Sequence, residues 1–208
     1  MKIINNIEYL IGIDEAGRGA LAGPVAVGLV MWKIKNWPKI KKFLKDYPIG
    51  KDSKKLTPKQ REFWFGKIKA LEKQKLLKTP VALIGNNLID QKGINFAVSK
   101  GITQCLTKIT KDYRTLQGQS LVLLDGGLRA PTNWLNQQTI VKGDEKELII
   151  SLASIIAKVS RDRKMVRLAK KYPQHHLQAH KGYGTRLHYQ KIKKFGVLVI
   201  HRQTYLPN

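Results

Sequence analysis

Two adjacent carboxylates follow an apolar segment near the amino terminus of this chain. Residues 9–13 predict a buried strand, and Asp14 and Glu15 stand directly after it. The chain has only 14 acidic residues against 39 basic ones, so composition does not explain the pair. Adjacent carboxylates repel each other unless a cation lies nearby, and the pair therefore predicts a metal site.

Two further acids stand at the ends of predicted strands. Asp125 follows residues 120–124, and Asp144 follows the short apolar segment 139–141 and a glycine. Functional groups collect at strand ends in α/β sheets, so all four acids are expected to meet at one point. Oxygen-only ligands suit Mg²⁺ or Mn²⁺ and not zinc. The pattern predicts hydrolysis of a phosphodiester with two such ions.

Each of these acids also has a structural interpretation. Asp125 precedes two glycines and is a common turn residue, and Asp144 can cap a helix in a capping box with Glu147. If the acids serve only as caps and turns, the chain is a non-catalytic nucleic-acid binding protein. A third hypothesis keeps the catalytic acids but makes the chain a structure-selective DNA nuclease.

Two glycine-containing loops are candidate substrate contacts. Gly17, Arg18 and Gly19 match neither a Walker loop nor a dinucleotide fingerprint. The glycines allow the backbone to approach a ligand closely, and Arg18 can reach a phosphate. Tyr183 stands between two glycines and is suited to stacking on a sugar or base. An ordinary turn and local packing of the tyrosine are the alternatives.

The net charge of +25 indicates a polyanionic partner. Nucleic acid is the first candidate and an anionic membrane surface the second, while a generally lysine-rich proteome is the alternative. In the basic turn 52–56, Ser53 and Lys54 either grip phosphates or form a solvated loop. The absence of a membrane-length apolar segment and of a signal region predicts a cytoplasmic protein without a membrane anchor.

Strands alternate with helices along the chain, which predicts an α/β fold. Residues 9–13 and 25–31 are too close for a helical crossover, so these strands are expected to be antiparallel in a mixed sheet. Helices are predicted from Thr57 to about residue 77, from about residue 145 to 171, and from Thr185 to residue 195. Thr57 is expected to form a capping box with Gln60, and Thr185 is expected to cap the last of these helices. The histidines are interpreted as surface or substrate-proximal groups and not zinc ligands: His175, His176, His180, His188 and His201.

The chain resembles the ribonuclease HII family of the bacterial type. The resemblance covers nearly the whole chain and rests on ordered motifs at residues 12–19, 21–25, 52–56, 124–126, 142–144, 153–159, 161–162, 180–185 and 201–202. The chain departs from the usual pattern at two places. Gly127 stands where the family has asparagine, and Leu152 stands where it has alanine.

The resemblance implies a ribonuclease H-like fold, with a mixed five-stranded central sheet flanked by helices and a helical C-terminal extension. It implies a catalytic domain over residues 1–172, with the extension over 173–208 packed on it. It also implies cleavage of the RNA strand of RNA–DNA hybrids and incision 5′ of single ribonucleotides in duplex DNA. The products carry 3′-hydroxyl and 5′-phosphate ends, as ribonucleotide excision repair requires.

The resemblance also assigns roles to residues of this chain. Four of them match the metal-binding catalytic acids, namely Asp14, Glu15, Asp125 and Asp144. Another three match the loop that senses the ribose 2′-hydroxyl, namely Gly17, Arg18 and Gly19. Tyr183 matches the tyrosine that packs at the DNA–RNA junction. No clear clamp-binding peptide is present at the C-terminus, and a monomer is expected.

Overall fold

A computed structural model of the chain describes residues 6–48, 56–111 and 116–207. The turn with Ser53 and Lys54, a predicted phosphate contact, lies outside the described residues. The strands are β1 (Tyr9–Ala16), β2 (Val25–Lys33), β3 (Leu77–Lys78), β4 (Val81–Ile84), β5 (Ser120–Asp125) and β6 (Gln137–Ile140). The α-helices are α1 (Trp37–Phe43), α2 (Pro58–Lys73), α3 (Asn86–Lys92), α4 (Ile94–Thr110), α5 (Leu116–Gln119), α6 (Gly143–Lys146), α7 (Leu148–Ala169), α8 (Leu177–His180) and α9 (Arg186–Phe195).

The sheet is mixed, as the sequence predicts. Its order is β3-β2-β1-β5-β6; β1 is antiparallel to β2 and parallel to β5, and β6 is parallel to β5. Both β3 and β4 pair with β2, and the pairs Trp32–Leu77 and Gly28–Val81 belong to one register. The two segments are therefore one edge strand interrupted near Pro80, which has no backbone N–H to donate. This makes the sheet five strands wide.

The two faces of the sheet are covered by different helices. Ile11 and Ile13 of β1 pack in a cluster with apolar residues of α4. Gly12 points the other way, toward α7, where a Cβ atom would lie only 2.5 Å from the carbonyl oxygen of Ile149. The alternation of side chains along a strand thus sends odd-numbered residues of β1 to α4 and even-numbered ones to α7.

The first strand is longer than the sequence predicts. Asp14 and Glu15 do not follow β1 but lie within it, paired with Gly28 and Val27 of β2. Their placement inside the strand sends the two carboxylates to opposite faces of the sheet. This geometry moves the two carboxylates apart and so reduces the repulsion between them.

Helix boundaries agree with the sequence at Thr57, where both hydrogen bonds of the predicted capping box form. The same helix, α2, ends at Lys73 and not near residue 77, since Lys75 takes a left-handed conformation with φ of 59°. The predicted capping box of Asp144 with Glu147 is wrong. Glu147 is extended between α6 and α7, with φ of −117°, so the long helix begins only at Leu148.

The C-terminal residues return to the turn between β1 and β2. His201 forms an isolated β-bridge with Ala22, and the backbone N–H of Arg202 donates to the carbonyl oxygen of Leu21. The division into a catalytic domain over 1–172 and an extension over 173–208 stays a prediction. Within the described ranges, no helix combines the length and apolar character needed to cross a bilayer.

Candidate active site

An open cleft of about 480 Å³ lies where β1 and β5 end. Six segments converge there: the last residues of β1, the turn after it, α2, the end of β5, the middle of α7 and the loop between α8 and α9. The cleft is lined by Asp14, Glu15, Ala16, Gly17, Arg18, Gly19, Arg61, Asp125, Ser154, Lys158 and Tyr183. Most of the predicted site residues within the described ranges are therefore neighbours in space.

Asp14 is the most buried carboxylate in this cleft, with only 4% of its surface exposed. One of its oxygens accepts the backbone N–H of Glu15 at 2.7 Å, and the Ser154 hydroxyl also hydrogen-bonds to it. Burial raises the pKa of Asp14 well above its usual value, and the charges of Glu15 and Asp125 raise it further. The site therefore resists negative charge unless a cation compensates it.

Asp125 lines the cleft, and Asp144 lies next to Asp125. Asp125 Oδ1 accepts the backbone N–H of Gly143 at 2.7 Å, and the amide nitrogen of Asp144 lies 3.4 Å from the same oxygen. Asp144 is buried at 3% exposure, and its charge contributes to raising the pKa of Tyr47 to about 12, mainly a result of burial. Asp144 thus lies adjacent to Asp125 without lining the open part of the cleft.

Glu15 projects toward the opposite face of the sheet from Asp14. Its Oε1 accepts the Nε–H of Arg18 at 3.2 Å, and Arg18 Nη1 donates to Asn95 Oδ1 on α4 at 2.7 Å. Arg18 is therefore held at the cleft by an acid and an amide. The sequence predicted the position of Arg18 but not its ion pair.

The oxygen atoms of these acids are suitable ligands for a divalent cation, but the side chains are not arranged as a preformed site. Carboxylate oxygens are the donors that Mg²⁺ and Mn²⁺ prefer, and the pKa of Asp14 is raised first by burial and then by the charges of Glu15 and Asp125, both of which a bound cation would offset. Among the residues that the structure describes, however, no three or more His, Cys, Asp or Glu side chains converge closely enough to form a ready metal site.

Two buried arginines hold the turn that carries Gly17 and Gly19. Arg202 donates to the carbonyl oxygens of Gly17 and Arg18, each at 2.7 Å, and also to Gly23. Arg161 donates to the carbonyl oxygens of Pro24, Ala22 and Lys181. Both guanidinium groups are fully buried, so backbone oxygens replace the water they lose.

Tyr183 joins the cleft from the loop between α8 and α9. Residue 183 forms an isolated β-bridge with Ala20, which fixes this loop against the glycine turn. The Lys158 Nζ atom lies 5.0 Å from the centre of the Tyr183 ring, and the Arg161 guanidinium carbon lies 4.9 Å from it. The ring is thus packed against cations and remains partly exposed at the cleft.

Sequence reasoning missed three side chains of the cleft, namely Arg61, Ser154 and Lys158. The motif at 153–159 contains two of them, and its apolar neighbours indicated only a buried helix. Lys158 Nζ forms an ion pair with Asp162 Oδ1 at 2.9 Å, one turn further along α7. Arg61 had no distinguishing signal, because it lies in a helix rich in basic residues.

Of the two interpretations of the histidines, as surface or as substrate-proximal groups, the surface alternative is wrong for four of the five. His176 is exposed, whereas the other four are buried: His175, His180, His188 and His201. Apart from Nδ1 of His175, their ring nitrogens pair with backbone groups or with each other. No periodic pattern predicts the burial of these histidines, because they come from four separate short segments.

The chain matches the family model described as Ribonuclease HII over residues 11–206. The chain belongs to the ribonuclease HII family. Ribonuclease HII from Endomicrobium trichonymphae is 40% identical over 196 residues, covering 94% of this chain and 84% of that protein. The resemblance that the sequence motifs indicated is confirmed.

Solved structures show the same fold. The PCNA:RNase HII complex from Archaeoglobus fulgidus contains a chain that matches with a TM-score of 0.69 at 24% identity, covering 96% of both chains. Bst-RNase HIII in complex with Mn²⁺ matches with a TM-score of 0.63 at 16% identity, covering 93% of this chain and 64% of that one. The predicted ribonuclease H-like fold is confirmed, and family membership makes the protein a nuclease hydrolase of ribonuclease H type.

Proposed function

We propose that this protein incises duplex DNA on the 5′ side of single embedded ribonucleotides and cleaves the RNA strand of RNA–DNA hybrids. The observation that carries the proposal is the meeting of three features in one cleft. These are the Asp14 and Asp125 carboxylates, the turn with Gly17 and Gly19, and the exposed edge of Tyr183. The carboxylates alone would be compatible with any metal-dependent nuclease. The glycine turn and Tyr183 add contacts to a sugar and to a base step.

We propose Asp14, Glu15, Asp125 and Asp144 as the ligands of Mg²⁺ or Mn²⁺. Two such ions, when bound, supply an activated water and a counter-charge for the leaving 3′ oxygen, which yields 3′-hydroxyl and 5′-phosphate ends. The chain's own contribution is to orient the carboxylates. Ser154 donates to Asp14, and the amides of Gly143 and Asp144 are directed at Asp125.

The glycine turn is proposed to recognise the ribose 2′-hydroxyl. In a trans peptide the N–H points opposite to the C=O, and the carbonyls of Gly17 and Arg18 point to Arg202. The backbone N–H groups of Arg18 and Gly19 therefore point away from Arg202. A Cβ atom on Gly19 would meet no atom within 4 Å, so a sugar can approach this part of the backbone closely.

A basic groove next to the cleft is proposed to hold the flanking phosphates. It has a volume of about 540 Å³, shares Arg61 with the cleft, and runs between α2 and α7. Its basic lining residues are Arg61, Arg163, Arg167, Lys170 and Lys181. Contacts to phosphates are independent of sequence, which suits an enzyme that must find a ribonucleotide in any context.

The remaining expectations from the sequence stay predictions. They are the monomeric state, the absence of a clamp-binding peptide, the cytoplasmic location and the role in ribonucleotide excision repair.

The function is tested with three duplexes of identical sequence: one with a single ribonucleotide, one RNA–DNA hybrid and one of DNA only. With Mg²⁺ or Mn²⁺, we expect cleavage of the first two, with the first cut on the 5′ side of the ribonucleotide and a 3′-hydroxyl end. Chelation of the metal should abolish cleavage. Cleavage of the DNA-only duplex would favour a structure-selective DNA nuclease, and binding without any cleavage would favour a nucleic-acid binding protein.

A further inference from the structure

Four buried histidines lie beneath the loop that carries Tyr183, and the proposed chemistry uses none of them. The rings of His180 and His188 are stacked with their centres 4.0 Å apart, and the His188 and His201 rings are 5.1 Å apart. His188 and His201 have no exposed surface. Histidine is usually only partly buried, so this cluster requires a reason.

The hydrogen bonds of His188 and His201 are compatible with one arrangement of protons. His188 Nδ1 lies 3.0 Å from the carbonyl oxygen of Tyr183, which can only accept, so Nδ1 carries the hydrogen. In the neutral ring, His188 Nε2 is then an acceptor, and it faces His201 Nε2 at 3.0 Å. His201 Nε2 must therefore donate.

The chain of donors continues to a third backbone group. With its hydrogen on Nε2, His201 has an acceptor at Nδ1, and the backbone N–H of Leu198 donates to that atom at 2.8 Å. The Leu198 carbonyl oxygen lies farther from Nδ1, at 3.2 Å, and would receive a hydrogen from it only in the other tautomer, which would leave two acceptors facing each other between the neutral rings. The direction of donation is thus Leu198 to His201, His201 to His188, and His188 to Tyr183. A proton added to either ring places two hydrogens between the facing Nε2 atoms unless His201 changes tautomer.

Both histidines are kept neutral by their surroundings. Burial, together with the charges of the neighbouring histidines, lowers the pKa of His188 to about 4. Burial also lowers the pKa of His201. The proton arrangement described above is therefore the one present at neutral pH.

We propose that the His188–His201 pair is a positioning unit that sets the Tyr183 loop against the glycine turn, and so aligns two substrate contacts of the proposed reaction. The next residue after His201 is Arg202, which holds the carbonyls of Gly17 and Arg18. One short segment therefore fixes the glycine turn through Arg202 and the tyrosine loop through His201. The inference rests on the proposed role of Tyr183 in binding substrate.

The pair is tested by a double-mutant cycle on cleavage of a duplex with one ribonucleotide. His188→Leu removes both polar contacts and is expected to lower kcat/KM by about tenfold. His188→Asn keeps a short donor for the Tyr183 carbonyl and is expected to lose less. In the Tyr183→Ala background, His188→Leu should cause no further loss, because its effect acts only through that ring.

The matched control is His176→Asn, which changes an exposed histidine of the same region at a left-handed position that asparagine tolerates. It should leave kcat/KM unchanged. Equal losses from His188→Leu with and without Tyr183 would overturn the proposal, as would no loss in either background.

A second measurement keeps the test informative if His188→Leu fails to fold or if the wild-type protein does not cleave. Nitrogen-15 spectra of the histidines in the wild-type protein at pH 7 report the tautomer of each ring directly. We expect hydrogen on Nδ1 of His188 and on Nε2 of His201, with both rings neutral. A charged ring, or the reverse tautomers, would overturn the proposed pair independently of the enzymatic activity.

Discussion

At the scale of single residues, the geometry of the cleft depends on charged groups that are buried and hydrogen-bonded. The Arg161 and Arg202 guanidinium groups have no exposed surface, and backbone carbonyls accept their hydrogens. Removal of one partner from such a network leaves a buried charge without compensation, which is costly. The geometry of the glycine turn is therefore determined by residues that are far from it in sequence.

Gly17 should tolerate no side chain. Its φ is 90°, and a Cβ atom would lie 1.9 Å from Nε of Arg161, which its carbonyl partners prevent from moving. We expect Gly17→Ala to lower the free energy of unfolding by about 3 kcal/mol or more, measured by urea denaturation. Gly19→Ala is the matched control and should stay near wild type, since a Cβ there meets no atom within 4 Å. Equal stability of the two variants would refute this account of the turn.

The acids of the site could be predicted from the sequence, whereas the cations could not. Asp14 and Asp125 attract notice because acids are rare in this chain and these two stand at strand ends. Arg61 and Lys158 belong to a set of 39 basic residues, and only packing brings them to the cleft. The opposite orientations of Asp14 and Glu15 depend on where β1 ends, which the apolar pattern placed three residues too early.

At the scale of secondary-structure elements, local sequence signals predicted where helices begin better than where they end. Thr57 and Thr185 cap helices as predicted, because a cap is a contact between neighbours in sequence. The break between α6 and α7 at Glu147 was not predictable, since its cause is tertiary. In α6, before this break, the backbone N–H groups of Gly143 and Asp144 are directed at Asp125, which lies at the end of β5.

The stability of the segments that carry the histidine cluster should depend on pH. The pKa of His188 is lowered to about 4 in the folded chain, against an ordinary value of about 6.5. Below about pH 6.5 the unfolded chain binds this proton before the folded chain does, so stability is full above that pH. We expect the free energy of unfolding to fall between about pH 6.5 and 4, with the same direction for His180 and His201.

The contribution of His188 is isolated by comparing variants in urea denaturation at several pH values. In His188→Leu the fall in stability with acid should be smaller than in wild type, because one group that must take up a proton is gone. His176→Asn should keep the wild-type pH dependence, since that residue is exposed. An unchanged pH dependence in His188→Leu would show that the cluster does not resist protonation.

At the scale of the whole molecule, the chain has a net charge of +25, and five of its basic residues line the groove next to the cleft. The groove between α2 and α7 lies on the face of the sheet that carries Asp14, while α3 and α4 cover the other face. Phosphates bound in the groove would lead a duplex toward the acids. Net charge alone predicted a polyanionic partner, but not which face it would contact.

Binding to a DNA-only duplex should therefore depend on the groove more than on total charge. We expect the double change Arg167→Gln and Lys170→Gln to weaken binding and to reduce the salt slope of log K by about 1 to 2. Changing Lys92 and Lys100 to Gln removes the same charge from α3 and α4 and should have a smaller effect. Binding measured between about 50 and 200 mM salt decides this, and equal effects of the two pairs would exclude a dedicated groove.

The central claim is that the carboxylates of the cleft perform metal-dependent cleavage and are not turn or cap residues. The most direct measurement compares wild type with Asp125→Asn for both cleavage and binding of a duplex with one ribonucleotide. Asparagine can still accept the amide of Gly143, so a cap or turn would survive the change. We predict that cleavage in Mg²⁺ falls by about a thousandfold or more while the Kd changes little. Wild-type cleavage by Asp125→Asn would contradict the account.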